Sequence, residues 1–281
     1  MKTIHSLKEM QEYTALQRAE GKTVGLVPTM GALHEGHLSL IHAARKENDR
    51  VVVSIFVNPT QFGVNEDFDQ YPRDLETDSK LAEKAGADII FNPEAKDMYP
   101  TDISTSIKMG SIAEGLCGRY RPGHFDGVAI VVNKLFNLVN PHRAYFGQKD
   151  AQQVQVIRQM VQDLNMEVEI VSCPIIRESD GLAMSSRNIY LSEDERDSAR
   201  LLNQALEEGR TFIEKGHRDP EELRQLIQKL LQSDPRLQVQ YIEIVHPSTL
   251  QPLQFLQKPV MIALAVHIGK TRLIDNIIIE E

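Results

Sequence analysis

Apolar residues run almost uninterrupted through 24–27 and again through 50–57 (RVVVSIFV). Such runs suit strands buried on both faces of a parallel sheet. Between them Leu38, Ile41, His42 and Arg45 recur at steps of three and four, which predicts a helix. Strand, helix, strand at this length is a βαβ unit with a right-handed crossover. The alternation continues with predicted helices over 74–85, 126–139 and 151–164, and predicted strands over 87–92, 143–146 and 167–171. Residues 1–20 read as an opening helix. Ser6 and Glu9 are spaced as a capping box there, and Leu7, Met10, Tyr13 and Leu16 line one face. Residues 104–109 read as a short strand.

The pattern changes after Pro174. Ser192 and Glu195 form a capping box for a long helix reaching 215, and Asp219, Pro220 and Glu222 open another that runs to 232. Three strands follow, over 238–245, 260–266 and 272–279. The expected class is α/β: a Rossmann-like parallel-sheet N-terminal domain over 1–175, with a smaller α+β C-terminal domain over 176–281 acting as a lid.

Composition narrows the function classes. The chain has 281 residues, 41% hydrophobic and 25% charged, values of an ordinary globular protein. Its net charge of -9 supplies no basic field for nucleic acid. Cys117 and Cys173 are far apart with no metal-ligand spacing, so reduced thiols are expected. No apolar run approaches the roughly 18 residues of a membrane span, and no signal peptide is recognised. A cytoplasmic protein without a nucleic-acid or membrane partner is expected.

The candidate chemistry lies in the turns that follow strands, where open α/β sheets bind ligands. Gly31 and Gly36 break the chain before the helix of the first βαβ unit, and His34 and His37 sit in that turn, spaced H-x-G-H. Backbone N–H groups and two imidazoles there could serve a phosphate; two surface histidines at a helix start are the alternative. The loop 58–74 offers the neutral amides of Asn58 and Gln61, which suit a hydroxy acid, or else simply makes a polar turn. Gly147, Gln148, Lys149 and Asp150 (GQKD) form a second strand–glycine–helix junction. Lys149 could reach phosphate oxygens, and Asp150 could cap the helix or bind ribose hydroxyls. Arg119, Arg121 and His124 cluster in one loop, as an anion site or as a salt-bridge hub. Met184, Ser185, Ser186 and Arg187 (MSSR) bring two hydroxyls and a guanidinium to the domain junction. Gly269-Lys270-Thr271 imitates a phosphate-binding loop, but Leu264 stands where its first glycine is required, so a hairpin turn is expected.

The string 28–37 (PTMGALHEGH) resembles the signature of the pantothenate synthetase family, within the wider group of H-x-G-H nucleotidyltransferases. VNPTQFG, RPGHFDGV, GQKD with Gln153, and MSSR resemble further segments of that family in the same order. The resemblance implies ATP-dependent condensation of pantoate with β-alanine through a pantoyl adenylate, with Mg2+ accompanying ATP on unnamed protein ligands, in a homodimer. It implies ATP contacts from Met30, Gly31, Ala32, Leu33, His34, Glu35, Gly36 and His37, from Gly147 to Asp150, from Ile176, and from Met184 to Arg187. His37 resembles the family's proton donor, and His34, Lys149 and Arg187 are its expected catalytic companions. Gln61, Gln153 and Asn58 are implied as substrate contacts. Arg119, Arg121 and His124 receive no role. Another nucleotidyltransferase would want a cationic pocket for a phosphorylated substrate where this chain has Gln61 and Gln153, and a non-catalytic nucleotide-binding regulator would not need both phosphate-handling segments.

Overall fold

The computed structural model describes residues 1–63, 66–100 and 104–280; residues 64 and 65 of the 58–74 loop lie outside the described part. The strands are β1 (Lys2–Ile4), β2 (Val24–Thr29), β3 (Arg50–Ile55), β4 (Ile89–Phe91), β5 (Arg143–Gly147), β6 (Glu169–Cys173), β7 (Leu237–Val245), β8 (Val260–Ile268) and β9 (Thr271–Ile279). The helices are α1 (Leu7–Ala19), α2 (Glu35–Glu47), α3 (Leu75–Ala85), α4 (Ala95–Met98), α5 (Leu116–Tyr120), α6 (His124–Val139), α7 (Ala151–Asp163), α8 (Glu193–Ala199), α9 (Leu201–Glu214) and α10 (Pro220–Leu231).

Six parallel strands pair in the order β1-β4-β3-β2-β5-β6, and β7-β8-β9 form a separate antiparallel sheet. The chain leaves β2 toward β3 and β4 on one side, then returns to β5 on the other. The carboxyl ends of β2 and β5 therefore flank the switch point, where the strand order reverses and an α/β sheet opens a ligand crevice. Both glycine turns singled out above begin there, after adjacent strands paired at Gly25↔Arg143 and Leu26↔Ala144.

Four expectations are corrected. The first residues are not helical, because Lys2–Ile4 pairs with Ile89–Phe91 and extends the parallel sheet. On α1 the buried residues are Met10, Thr14 and Gln17 while Leu16 is exposed, so the buried face is rotated from the predicted one. Residues 104–110 form no strand. The helix expected from Ser192 to 215 is interrupted at Arg200, which separates α8 from α9.

The second sheet is covered on both faces, and β8 shows how. Met261, Ala263 and Ala265 belong to the apolar cluster that also holds Val128, Val132 and Val154 of α6 and α7. Ile262, Leu264 and Val266 alternate with them and pack on Leu206, Leu223 and Ile227 of α9 and α10. The period-2 alternation of a strand thus joins two cores, at roughly 1.5–3 kcal/mol per large aliphatic side chain buried. The small sheet is seated on α6 and α7 by this shared apolar cluster.

Candidate active site

The H-x-G-H turn is built from its own side chains. His34 is the N-cap of α2, and its Nδ1 accepts the Gly36 N–H at 3.1 Å. His37 Nδ1 accepts the His34 N–H at 3.3 Å, completing a reciprocal capping box made of two imidazoles. An Nδ1 that accepts carries no proton, so each neutral ring holds its proton on Nε2 and offers that N–H. The rings lie 4.1 Å apart between centroids. Burial pushes the His34 imidazolium down to about 4, with the Lys149 ammonium adding to the effect. Burial, then His34 and Lys149, pushes His37 down to about 3. Both rings are neutral at pH 7.

Gly36 serves this arrangement directly. A Cβ there would come within 2.8 Å of His34 Cε1 and 2.9 Å of its Nδ1, so the missing side chain makes room for an imidazole. The row of backbone N–H groups expected to meet phosphate is also revised. Gly31 N–H donates to Thr29 Oγ1 (3.2 Å), while the Ala32 and Leu33 N–H groups donate to the Asp78 carboxylate (2.9 and 2.7 Å). Asp78, on α3, is buried and its pKa is raised by desolvation against those two N–H bonds. Nothing in the sequence singled it out. The N–H groups of 31–34, 36 and 37 are therefore engaged within the protein, and the two Nε2–H groups stand as side-chain donors of this turn.

A cavity of about 230 Å³ opens beside the turn. Met30, His34, Gly36 and His37 line one side; Gly147, Lys149, Asp150 and Gln153 line another. Ile176 and Met184 to Arg187 close it from the C-terminal part, and Asn58 and Gln61 complete the wall. Gly31, Ala32, Leu33, Glu35 and Gln148 do not line it. Gln148 instead accepts from Ser172 Oγ at 2.8 Å and reaches Asn276, so its side chain is a tie between sheets. Asp150 makes no side-chain cap bond to α7, which removes the helix-capping alternative. Lys149 forms no ion pair among the described residues.

The amide of Asn58 is fully engaged. Its Nδ2 donates to Gln61 Oε1 and to the Gly127 carbonyl, both at 3.0 Å, and its Oδ1 accepts from Tyr99 Oη at 2.7 Å and from Thr60. Asn58 is thus buried at the cavity wall with its hydrogen bonds met within the protein, one of them to the Gln61 side chain. With its oxygen held, Gln61 has its Nε2 left to donate, now 3.4 Å from Met30 Sδ. The Gln61 carbonyl accepts from His124 Nδ1 at 2.8 Å, and Arg121 bonds His124 Nε2 (3.0 Å) and Glu66 (2.7 and 2.5 Å). Arg121 and His124 therefore form a hub under Gln61, while Arg119 points to Glu243 on β7.

The MSSR turn is organised by charge. Arg187 donates to both Asp67 oxygens, at 3.0 and 2.8 Å, and Tyr71 Oη lies 3.3 Å from Ser186 Oγ. Ser185 caps the turn by accepting the Arg187 N–H at 3.3 Å. The Met184 N–H donates to the Ile176 carbonyl at 2.9 Å, which brings Ile176 beside this segment. Asp67, the bidentate partner, was not anticipated; it lay unmarked in a polar loop.

Comparison with known proteins matches this layout. A family model for pantoate-beta-alanine ligase matches residues 2–278. The chain is 54% identical over 280 residues to a pantothenate synthetase of Acetivibrio thermocellus, covering 100% of both. It superimposes on the crystal structure of pantothenate synthetase from Thermus thermophilus with a TM-score of 0.95, 45% identity and 100% coverage of both chains. Pantoate-beta-alanine ligase from Francisella tularensis, solved with β-γ ATP and β-alanine, gives a TM-score of 0.81 at 36% identity, covering 99% of this chain and 97% of that one. A family match over nearly the whole chain and identities of this size settle its membership: the chain belongs to the pantoate-beta-alanine ligase family.

Proposed function

We infer that this chain condenses pantoate with β-alanine in an ATP-dependent reaction that forms a C–N bond. In the first step the pantoate carboxylate attacks the α-phosphorus of ATP, and the bond to pyrophosphate breaks, leaving a pantoyl adenylate. In the second, the β-alanine amine attacks the acyl carbon, the acyl–phosphate bond breaks, and pantothenate and AMP leave. Activation is needed because a carboxylate oxygen is a poor leaving group until it is joined to phosphorus.

The observation that carries the reading is convergence. His34, His37, Lys149, Gln61, Gln153 and Arg187 line one cavity at the switch point of the sheet. In the proposed roles, the two Nε2–H groups donate to phosphate oxygens that gain charge as pyrophosphate departs. An imidazole with its pKa near 3 is a weak base at pH 7, so His37 is proposed as a hydrogen-bond donor and not as a carrier of a transferred proton. Lys149, Ser185, Ser186 and Arg187 are proposed to grip the triphosphate, Asp150 the ribose. Gln61 and Gln153 are proposed to hold pantoate; neutral amides leave its carboxylate nucleophilic, where a tight ion pair would quench it. Among the described residues no group of three or more His, Cys, Asp or Glu side chains is placed to hold a metal ion. Magnesium is proposed to accompany ATP because a triphosphate carries more charge than these side chains balance alone, and no step is assigned to it.

The same proposal includes a nucleotide- and pantoate-binding unit over 1–175, a closing unit over 176–281, a homodimer and a cytoplasmic location; light scattering separates dimer from monomer. Supplying ATP, pantoate and β-alanine tests the reaction: AMP, pyrophosphate and pantothenate are expected. ADP and phosphate as products would overturn it in favour of a phosphate-activating ligase.

A further inference from the structure

We propose that Asn276, on β9 of the C-terminal sheet, is a positioning residue that sets the turn carrying Lys149; the inference rests on the adenylate-forming reading above. Asn276 is 3% exposed and sits between Ile274 and Ile278 on the face that joins the apolar cluster of α6 and α7. A buried amide on an apolar face is costly unless its donors and acceptor are met. Here they are met by one turn. Its Nδ2 donates to the carbonyls of Gln148 and of Lys149, each at 3.0 Å, and its Oδ1 lies 3.4 Å from Gln148 Nε2.

The neighbouring residue fixes the other phosphate-handling segment. Asp275 takes Arg177 in a bidentate pair at 2.6 and 3.0 Å. Arg177 follows Ile176, whose carbonyl receives the Met184 N–H. Two adjacent residues of one strand thus hold the Lys149 turn and the segment that leads into Ser185 and Arg187. Lysine is a flexible cation, and Lys149 has no ion pair among the described residues to fix its ammonium. Where that charge stands depends on the backbone beneath it, and the backbone carbonyls at that point are held from β9. Sheet pairing itself does not require the amide, since β9 pairs with β8 in unbroken register from Val260↔Ile279 to Ile268↔Thr271.

The test separates the two half-reactions. Asn276→Ala, Lys149→Ala and the double variant are assayed for pyrophosphate release from ATP and pantoate, then for acyl transfer from supplied pantoyl adenylate to β-alanine. Asn276→Ala is expected to slow the first step roughly 10- to 100-fold, the scale of a misplacement of about 1 Å, and to leave the second unchanged. Added to Lys149→Ala it should cost nothing more, because it acts through that lysine. Asn276→Ser, which keeps one donor, should fall between parent and alanine, and carries the same test should the alanine variant not fold. An unchanged first step, an equal loss in both steps, or losses that multiply in the double variant would overturn the inference. A parent protein that releases no pyrophosphate would instead sink the functional reading on which it rests.

Discussion

The H-x-G-H turn and the MSSR turn face the same cavity, yet they are held in opposite ways. The first presents neutral donors on a mostly local frame: His34 Nδ1 takes the Gly36 N–H, His37 Nδ1 takes the His34 N–H, and Asp78 takes those of Ala32 and Leu33. The second is charged and borrowed. Arg187 is clasped by Asp67 from a distant loop, and Tyr71 of that loop contacts Ser186. On the proposed mechanism the imidazole donors need no rearrangement, whereas the guanidinium must share or leave a carboxylate to reach phosphate. Preorganised neutral donors suit the place where charge develops; an exchangeable ion pair suits a segment that closes on a substrate and later lets go.

Removing the preorganised side should have the largest effect. His37→Ala is expected to cut AMP formation by about 100- to 1000-fold through turnover; a change confined to the apparent affinity for ATP would contradict the role. Gly36→Ala probes the same turn more gently. Alanine improves helix propensity by about 1 kcal/mol, but its Cβ would meet His34 at 2.8 Å. The expected outcome is a roughly tenfold loss of turnover with little change in melting temperature, and full activity would show that His34 needs no fixed ring. On the charged side the effect should be smallest and of opposite sign. Asp67→Asn weakens one half-buried ion pair, costs no more than about 1 kcal/mol of stability, and lowers the KM for ATP a few-fold by freeing Arg187. A raised KM would mean that Asp67 orients the guanidinium instead of competing for it.

Much of this was legible from the chain. Continuous apolar runs announced β2 and β3 because burial on two faces leaves no polar positions, and the glycine turns announced the crevice. Long-range partners were not legible. Asp78 looks like an acid placed for the helix dipole in the first turn of α3, and only the tertiary fold brings it to Ala32 and Leu33. Lys2–Ile4 is too short to show a period and becomes a strand only by pairing with β4. Residues 104–109 read as a strand from the sequence and find no strand partner among the described residues. Asn58 was recognised by type, while the partners that fill its hydrogen-bond set, Tyr99 and Gly127 among them, cannot be read from one sequence. Asn276 sits in a strand pattern where a single polar residue passes for solvent exposure.

The central claim is that both histidines stand as neutral Nε2–H donors before any substrate arrives. Its pH consequence has a definite sign. Their folded pKa values of about 4 and about 3 lie below the ordinary 6.5, so the unfolded chain binds more protons in between. Stability from this source is fully present above pH 6.5 and declines as pH falls through the window toward 4 and then 3. The direct measurement is a 15N-detected NMR titration of His34 and His37, assigned with single His→Gln variants. Protonated Nε2 and unprotonated Nδ1 in both rings, unchanged from pH 8 to pH 5, is the predicted result. Protonation of either ring near pH 6.5, or a proton found on Nδ1, would contradict the account.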